Sequence, residues 1–287
     1  MEFNPADQPE GTDAAFFIQV FDYADNWAGV GAWNLGIDKT APTTALSPLA
    51  ITQPSNAFLL EWTGSDNLSG IAYVEIQQKI NDGDWTTSPP IDGSVHQYWV
   101  IGEPGNIYSY RMHAVDYSGN IEIYPPGAEV TTSIPDAAIL CYARDNYDTS
   151  GNDNSPYNAS MIYANEASQL HNYCNPLSPD YQNDEDWVKM NVTQGEHYFI
   201  HAHADSLQTA SMVSLYASDG TTLLAELAPR TLGSHTYLIW TSDRNTLVFL
   251  RFHHLDGRVI GSDVATTISV KTGTLTYLPL VNQSSKK

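Results

Sequence analysis

Three histidines and one aspartate lie close together in the stretch EHYFIHAHADS, residues 196–206. His197, His201 and His203 fall within seven residues, and Asp205 follows. Imidazole nitrogens and carboxylate oxygens are common zinc ligands, so this spacing could support a catalytic or structural metal site. The same alternation of polar and apolar residues is also typical of the solvent-facing side of a β-strand.

Strand geometry limits which of these ligands can meet. Successive side chains point to opposite faces, so His201 and His203 share a face and stand about 7 Å apart, two strand rises. A metal site needs a third ligand from another strand, and His253 or His254 is the obvious donor. The sequence therefore leaves two interpretations, a transition-metal site at His201, His203 and His253 or a solvated polar face.

Recognisable catalytic motifs are missing from the sequence. EHYFIH does not have the His-Glu-x-x-His order of a zincin helix, and neither a Gly-x-Ser-x-Gly elbow nor a phosphate-cradling glycine loop occurs. We therefore expect no catalytic residues and no enzymatic activity, although an active site assembled from scattered residues would leave no such trace.

Two acidic clusters in the second half carry hard oxygen ligands of the kind that Ca²⁺ prefers. The candidate ligands are Asp145, Asp148, Asp153 and Asn154 in one cluster and Asp184 and Asp186 in the other. Neither cluster has the spacing of an EF-hand loop. The alternatives are one calcium site, with Ca²⁺ as the only expected cofactor, or two solvated acidic loops.

Composition excludes several classes of partner. The 287 residues contain 12 Lys and Arg against 33 Asp and Glu, a formal net charge of −21. Such a polyanion repels nucleic acid and anionic lipid, so we expect neither as a partner. No run of eighteen apolar residues occurs, so we expect no membrane span. The residues 1–11 also lack the basic and apolar regions of a signal peptide.

The only two cysteines are Cys141 and Cys174. No second pair is present to complete a zinc pattern. In an exported protein they would form a disulfide worth about 3–4 kcal/mol in the chain-entropy model. Two buried free thiols are the alternative. The acidic, lysine-poor composition favours the disulfide and an extracellular or cell-surface location.

A repeat marks the first half. FFIQVFDYADNWAG, from Phe16, and YSYRMHAVDYSGNIEI, from Tyr108, each run from an alternating strand into Asp-Tyr-x-x-Asn, and the two aspartates are 94 residues apart. That period is close to the length of one immunoglobulin-like sandwich. Residues 1–37 would then be the last two strands of a preceding copy, with Phe16, Phe17, Ile18 and Val20 covered by a neighbour, a second molecule or a missing segment. A proline-containing linker is expected at 38–48.

The region 41–134 resembles the bacterial immunoglobulin-like or fibronectin type III-like modules of exported multidomain proteins. The resemblance rests on WTGSDNLSGI near the start, Trp85 midway and GNIYSYRMHAVDYSGN near the end. It implies a β-sandwich in which Trp62 is a core residue.

Residues 138–272 resemble the bacterial pre-peptidase C-terminal domain. NDNSPYNA, DEDWVKMNV, GEHYFI, SLYASDGTTLLA and LVFLRF carry the resemblance, and the two cysteines and an enlarged acidic loop depart from it. The family implies a non-catalytic, jelly-roll-like sandwich following a secreted peptidase or other hydrolase. By this resemblance Tyr198 and Ile200 face the core, the histidines face outward, and the two acidic clusters could meet around calcium. A tail would occupy 273–287.

We therefore expect an all-β protein of two consecutive sandwiches preceded by an orphan strand pair. The expected function is a spacer, maturation or substrate-attachment region whose partners are the upstream domains of a secreted bacterial hydrolase. A module that binds insoluble polysaccharide or fibrous protein such as collagen is one alternative, and a surface or filament protein assembling through its first strands is another. The candidate stacking residues for polysaccharide are Trp99 and Tyr98, or Trp27 and Trp33.

Overall fold

A computed structural model describes residues 8–150 and 153–274, with the side chains of 13–18, 30, 32–35, 149 and 150 left out. Its regular secondary structure is almost entirely β-strand, as the sequence predicted. Most of the tail expected at 273–287 lies outside the described residues. The chain divides into two compact units, the first made of 1–53, 59–100 and 106–134 and the second of 54–58, 101–105 and 135–287.

The first unit begins with a two-stranded antiparallel sheet, strands β1 (Gly11–Phe21) and β2 (Trp27–Ile37). Asp22 closes the turn between them, because its Oδ1 accepts the Asn26 backbone N–H at 2.9 Å and its Oδ2 accepts the Asn26 side-chain amide at 2.9 Å. The side chains of Phe16, Phe17 and Ile18 lie outside the described residues, whereas Val20, which was also expected to be covered, is 64% exposed.

Two further sheets form the rest of this unit. One has the order β3-β4-β8, and the other has the order β10-β9-β5-β6 with β7 also paired to β5. Their strands are β3 (Thr43–Leu46), β4 (Ala57–Ser65), β5 (Ile71–Ile80), β6 (Thr86–Thr87), β7 (Ile91–Asp92), β8 (Gln97–Ile101), β9 (Ile107–Asp116) and β10 (Val130–Ser133).

Alternate residues of these strands supply the buried apolar side chains, as period-two patterning requires. Trp62 of β4 is 3% exposed, which confirms the core position expected for it, and Val74, Tyr110 and Met112 are each 1% exposed. Residues 43–46 pair with β4, so four of the eleven residues predicted as a linker at 38–48 form the first strand of a sheet.

The second unit carries two short helices followed by nine described strands. These are α1 (Ala137–Leu140), α2 (Asn146–Ser150), β11 (Ser160–Met161), β12 (Gln169–Tyr173), β13 (Glu185–Val192), β14 (His197–Ala204), β15 (Ser211–Tyr216), β16 (Leu223–Leu227), β17 (Thr236–Thr241), β18 (Thr246–His254) and β19 (Gly261–Gly273). They form two sheets, β11-β13-β18-β15-β16 and β12-β19-β14-β17.

The inward faces of both sheets build one apolar cluster. It includes Val188 and Met190 of β13, Ile200 of β14, Leu250 of β18 and Ile268 of β19, none more than 1% exposed. Burying alternate apolar residues of facing sheets drives the assembly of a sandwich. Each strand thereby also presents a second face, and on β14 that face carries His201 and His203.

Residues 137–159, the leading segment, precede the first strand of the second unit and contain both short helices. Cys141 follows α1 and forms a disulfide with Cys174 at the end of β12, with 5.7 Å between their Cα atoms. Both cysteines are buried. The disulfide expected from the sequence is therefore present, and it fastens the leading segment to the sandwich.

Candidate metal centre

Five aspartates and one histidine converge where the leading segment meets strands β12 and β13, and we call this group the acidic centre. The leading segment supplies Asp145, Asp148 and Asp153, β12 supplies His171, and Asp184 and Asp186 lie at the start of β13. All six residues are buried, His171 and Asp186 completely. The two acidic clusters predicted from the sequence thus meet in one place.

Asp145 is positioned by capping a helix. Its Oδ1 accepts the backbone N–H groups of Tyr147 at 2.8 Å and Asp148 at 3.0 Å, which are orphan donors at the start of α2. Its Oδ2 accepts the Asn172 backbone N–H of β12 at 3.1 Å. One carboxylate therefore begins the helix and also joins it to the sandwich.

The other carboxylates are left short of partners. Both side-chain oxygens of Asp148 and of Asp153, Oδ1 of Asp184 and Oδ2 of Asp186 are buried without a hydrogen bond, and so is Oδ1 of the neighbouring Asn172. Buried polar atoms normally find partners, because an unmade hydrogen bond in the interior costs free energy. Seven such oxygens in one buried group are the kind of donors that a hard cation prefers.

His171 stands in the middle of these carboxylates. Its Nδ1 lies 3.1 Å from Asp186 Oδ1, 3.5 Å from Asp153 Oδ2 and 3.7 Å from Asp145 Oδ2. Gln169 determines which imidazole nitrogen carries the proton. The Gln169 amide nitrogen donates to the Met161 carbonyl at 2.7 Å, so its Oε1 faces His171 at 3.3 Å and accepts a hydrogen bond from the Nε2–H group. In neutral His171, Nδ1 therefore directs a lone pair toward the carboxylates.

The protonation equilibria of the centre follow from burial and mutual repulsion. Burial, followed by repulsion from Asp145, raises the pKa of Asp148 to about 7. Burial also raises the pKa of Asp153 to about 7 and that of Asp184 to about 10, and it raises the pKa of Asp186 well above its ordinary value. Burial lowers the pKa of His171. Without a cation the centre would hold protons, and a divalent cation would replace them.

The donors fit calcium better than a transition metal. The centre offers seven oxygens without a hydrogen bond but only one nitrogen, from His171. Oxygen-rich ligand sets suit Ca²⁺, whereas imidazole- and thiolate-rich sets suit zinc or copper. Asp153, His171 and Asp186 are at most 2% exposed, so the described part of the centre is closed to solvent. Such closure is typical of structural sites rather than catalytic ones.

Two features of the centre differ from the sequence expectation. Asn154 belongs to the loop framework, since its Oδ1 accepts the Glu185 backbone N–H and its Nδ2 donates to Asn175 Oδ1, both at 3.1 Å. His171 was not among the predicted residues. The only sequence signal for it is a histidine among polar residues in β12, which has no motif spacing to either acidic cluster.

The histidine stretch lies on β14 as expected. Tyr198, Ile200 and Ala202 are buried, whereas the side chain of His203 is 45% exposed. The predicted third ligand was wrong, because His253 belongs to β18, which pairs with β13 and β15 in the other sheet. The third histidine is instead His235, which directly precedes β17, the neighbour of β14.

His201, His203 and His235 form a compact group that we call the histidine triad. One ligand atom from each of them lies within 4.8 Å of the others. The His203 and His235 rings stack at 4.2 Å, and the Tyr237 ring stacks on His201 at 4.1 Å. Burial, followed by repulsion from the other two imidazoles, lowers the pKa of His201.

The sequence predicted two flat aromatic surfaces for binding polysaccharide, one at Tyr98 and Trp99 and one at Trp27 and Trp33. Tyr98 and Trp99 are consecutive residues of β8, so they point to opposite faces and cannot form one flat surface. Trp27 is 62% exposed at the start of β2. The side chain of Trp33 lies outside the described set, so a surface formed by Trp27 and Trp33 is not addressed.

A third carboxylate group, Asp38, Asp66 and Asp116, lies in the first unit. Backbone bonds account for most of it. Asp116 Oδ1 accepts the N–H groups of Ser118 and Asn120, both at 2.8 Å, which closes the turn after β9 just as Asp22 closes the turn after β1. We therefore interpret this group as repeated turn chemistry.

Comparisons with known proteins give weak likenesses. No protein-family model matches the chain, and no curated protein does. Among solved structures it is similar to the pre-peptidase C-terminal domain of collagenase from Bacillus anthracis, at 17% identity and a TM-score of 0.30, covering 39% of this chain and 94% of that one. It is also similar to the surface-associated copper-binding protein CorA of Methylomicrobium album BG8, at 9% identity and a TM-score of 0.31, covering 41% and 98%.

An exo-β-1,3-galactanase from Phanerochaete chrysosporium is similar over 88% of this chain and 62% of that one, at 10% identity and a TM-score of 0.24. None of these likenesses is strong enough to carry an argument about function. Among the described residues, no helix has the length and apolar character needed to cross a membrane.

Proposed function

We propose that this chain is a non-catalytic accessory region of an exported bacterial multidomain hydrolase, with a calcium-stabilised β-sandwich as its second unit. The acidic centre is the observation that carries the proposal. It collects ligands from the leading segment, β12 and β13 in a closed, buried position. A cation there would fasten the leading segment to the sandwich, beside the disulfide that already joins them.

Charge and redox state support an extracellular location. A net charge of −21 and a buried cluster of five carboxylates suit a medium with abundant divalent cations. The disulfide between Cys141 and Cys174 suits an oxidising compartment. In the reducing, calcium-poor cytosol neither the disulfide nor the bound Ca²⁺ would form. The leading segment would therefore become attached to the sandwich only after export.

Calorimetric titration of the chelated protein with Ca²⁺, Mg²⁺ and Mn²⁺ tests the metal assignment. We expect Ca²⁺ to bind, and Asp186→Asn to abolish this binding. Limited proteolysis should then show that Ca²⁺ protects residues 137–159 from cleavage. Absence of Ca²⁺ binding, or binding that Asp186→Asn leaves unchanged, would refute the proposed centre.

The accessory role has its own test. An antibody raised against this chain should detect, in the native culture medium, a protein much larger than 31.6 kDa that carries hydrolase activity. A depletion assay on insoluble cellulose, chitin, starch and collagen, with Ca²⁺ and with chelator, then separates attachment from spacing. Depletion by one polymer indicates attachment, and no depletion favours a spacer or maturation role. A secreted protein with no attached hydrolase would contradict the accessory role.

A further inference from the structure

We propose that His201, His203 and His235 form a second metal site, which binds a divalent first-row transition metal such as Cu²⁺ or Zn²⁺ on the outer face of the sheet that contains β14 and β17. This inference is independent of the proposed calcium centre. It uses different residues, a different ligand chemistry and the opposite side of a strand whose inner face lies in the core.

The strands bring the triad together by simple register. His201 pairs with Tyr237 and Ala202 with Thr236, so the next step along both strands sets His203 beside His235. His201 lies on the same face as His203, two residues earlier. Two imidazoles from one strand and one from its neighbour thus project from a rigid sheet, which is a precise support for a metal site.

Distances within the triad are compatible with one shared ion. One ligand atom of each histidine lies within 4.8 Å of the others. Two nitrogens each about 2.1 Å from a single metal are separated by at most about 4.2 Å. His235 is exposed and the His203 side chain is 45% exposed. Rotation of these two rings can therefore bring the nitrogens to within the separation that one metal ion requires, without disturbing the core.

The hydrogen bonds of the triad leave ligand atoms accessible. His201 Nε2 is buried without a hydrogen-bond partner. His235 Nδ1 accepts the exposed Ala204 backbone N–H at 3.0 Å. A metal bound at His235 Nδ1 would replace this hydrogen bond, and the Ala204 N–H could then donate to water. The ring of Tyr237, stacked on His201, keeps that imidazole in its present orientation.

Chemistry points to a transition metal rather than calcium. Three neutral imidazoles are the ligands preferred by Cu²⁺ and Zn²⁺, and Cu²⁺ is expected to bind more tightly. Asp205 Oδ1 lies 3.8 Å from His203 Nε2, and Thr267 donates to Asp205 Oδ2 at 2.9 Å. This carboxylate would offset part of the ion's charge or orient His203 from outside the ligand set.

The experiment titrates the full chain with Cu²⁺, Zn²⁺ and Mn²⁺ in excess Ca²⁺, which keeps the acidic centre filled. We expect one Cu²⁺ or Zn²⁺ per chain, no comparable binding of Mn²⁺, and imidazole nitrogen couplings in the electron paramagnetic resonance spectrum of the copper form. His203→Asn and His235→Asn should each weaken binding at least about tenfold. The exposed His96 in the first unit provides the control His96→Asn, which should leave binding unchanged.

Binding of Zn²⁺ should also shift the amide resonance of Ala204, because its partner His235 changes role. The proposal fails if neither Cu²⁺ nor Zn²⁺ binds, or if the His203 and His235 variants bind as tightly as the parent chain. It also fails if the bound ion is lost with Asp186→Asn but not with the histidine variants, since the ion would then belong to the acidic centre. An unmoved Ala204 amide would contradict the assignment of His235.

Discussion

His171 Nδ1 lies 3.1 Å from Asp186 Oδ1, and both residues are completely buried. In a hydrogen bond between these two atoms, either the imidazole or the carboxyl must carry the proton. Burial lowers the pKa of His171 and raises that of Asp186, so the neutral imidazole and the protonated acid are favoured in the absence of a cation. The pair therefore links the stability of the sandwich to pH and, under the proposed calcium binding, to Ca²⁺.

Replacement of Asp186 by Asn should make the protein insensitive to calcium. The amide occupies nearly the same volume and can donate to His171 Nδ1, but it removes one charge from the centre. In excess Ca²⁺ we expect the parent chain to gain about 10 °C in the melting temperature of the second unit, as ligand linkage of about 4 kcal/mol would give. Asp186→Asn should show no gain.

The matched control for this change is Asp263→Asn, an exposed carboxylate in β19. It removes the same charge from the second unit and should keep the full calcium response. Equal responses of Asp186→Asn and the parent chain in scanning calorimetry would rule out the acidic centre as the calcium site.

The free energy of unfolding of the calcium-free protein, measured in chelator, should decrease as pH rises from 5 to 8. The pKa of Asp148 and that of Asp153 are raised to about 7 and that of Asp184 to about 10, against about 3.9 in an unfolded chain. Over this window the unfolded chain has released protons that the folded chain still binds, so unfolding becomes more favourable with pH.

With Ca²⁺ in place of those protons, the stability gained from the metal should be larger at pH 8 than at pH 5. The melting temperature is measured at each pH with chelator and with Ca²⁺, and the difference between the two is the calcium gain at that pH. A calcium gain that is equal at pH 5 and pH 8 would show that the buried carboxylates do not bind the metal.

Loss of the disulfide should destabilise the second unit by about 3–4 kcal/mol. The bond between Cys141 and Cys174 closes a separation of 33 residues. It also affects the acidic centre, because the Cys174 backbone N–H donates to Asp184 Oδ2 at 3.0 Å. The double variant Cys141→Ala/Cys174→Ala should therefore unfold at lower urea concentration and bind Ca²⁺ more weakly.

Reduction of the parent chain with dithiothreitol provides an independent comparison that changes no residue. Reduced parent and double variant should have similar unfolding midpoints. A calcium affinity unaffected by either treatment would show that the acidic centre does not depend on the disulfide between Cys141 and Cys174.

The two related turns of the first unit should differ in energetic importance. Asn120 donates to Asp116 Oδ2 at 2.7 Å and to the Asp38 carbonyl at 3.1 Å, and Asp116 is 2% exposed. Asn26 donates to the exposed Asp22. We expect Asn120→Ala to cost about 1–2 kcal/mol and Asn26→Ala less than about 0.5 kcal/mol.

Hydrogen exchange measured by mass spectrometry can locate these effects. Asn120→Ala should accelerate exchange in β9 and in the turn after it, whereas Asn26→Ala should affect only the turn between β1 and β2. Equal effects of both substitutions on the unfolding free energy would contradict the assignment of the Asp116 turn as the structurally important copy.

Much of the fold was predictable because it depends on local patterning. Period-two alternation predicted the strands and placed His201 and His203 on the face opposite to Tyr198, and the family resemblance indicated that Tyr198 faces the core. The Asp-Tyr-x-x-Asn repeat likewise predicted two equivalent turns, because side-chain bonds to the backbone two and four residues away are decided locally. Residues 43–46 lie in both the predicted linker at 38–48 and the predicted sandwich at 41–134, and their pairing with β4 assigns them to a sheet.

What the sequence by itself determined is the all-β class, the acidic character, the single cysteine pair and the identity of the five aspartates that form the acidic centre. Only the tertiary structure decided that both acidic clusters surround His171, and that His235 rather than His253 completes the triad. The reason is that sheet neighbours are chosen by the packing of the whole sandwich. No periodicity along one strand specifies which other strand will lie beside it.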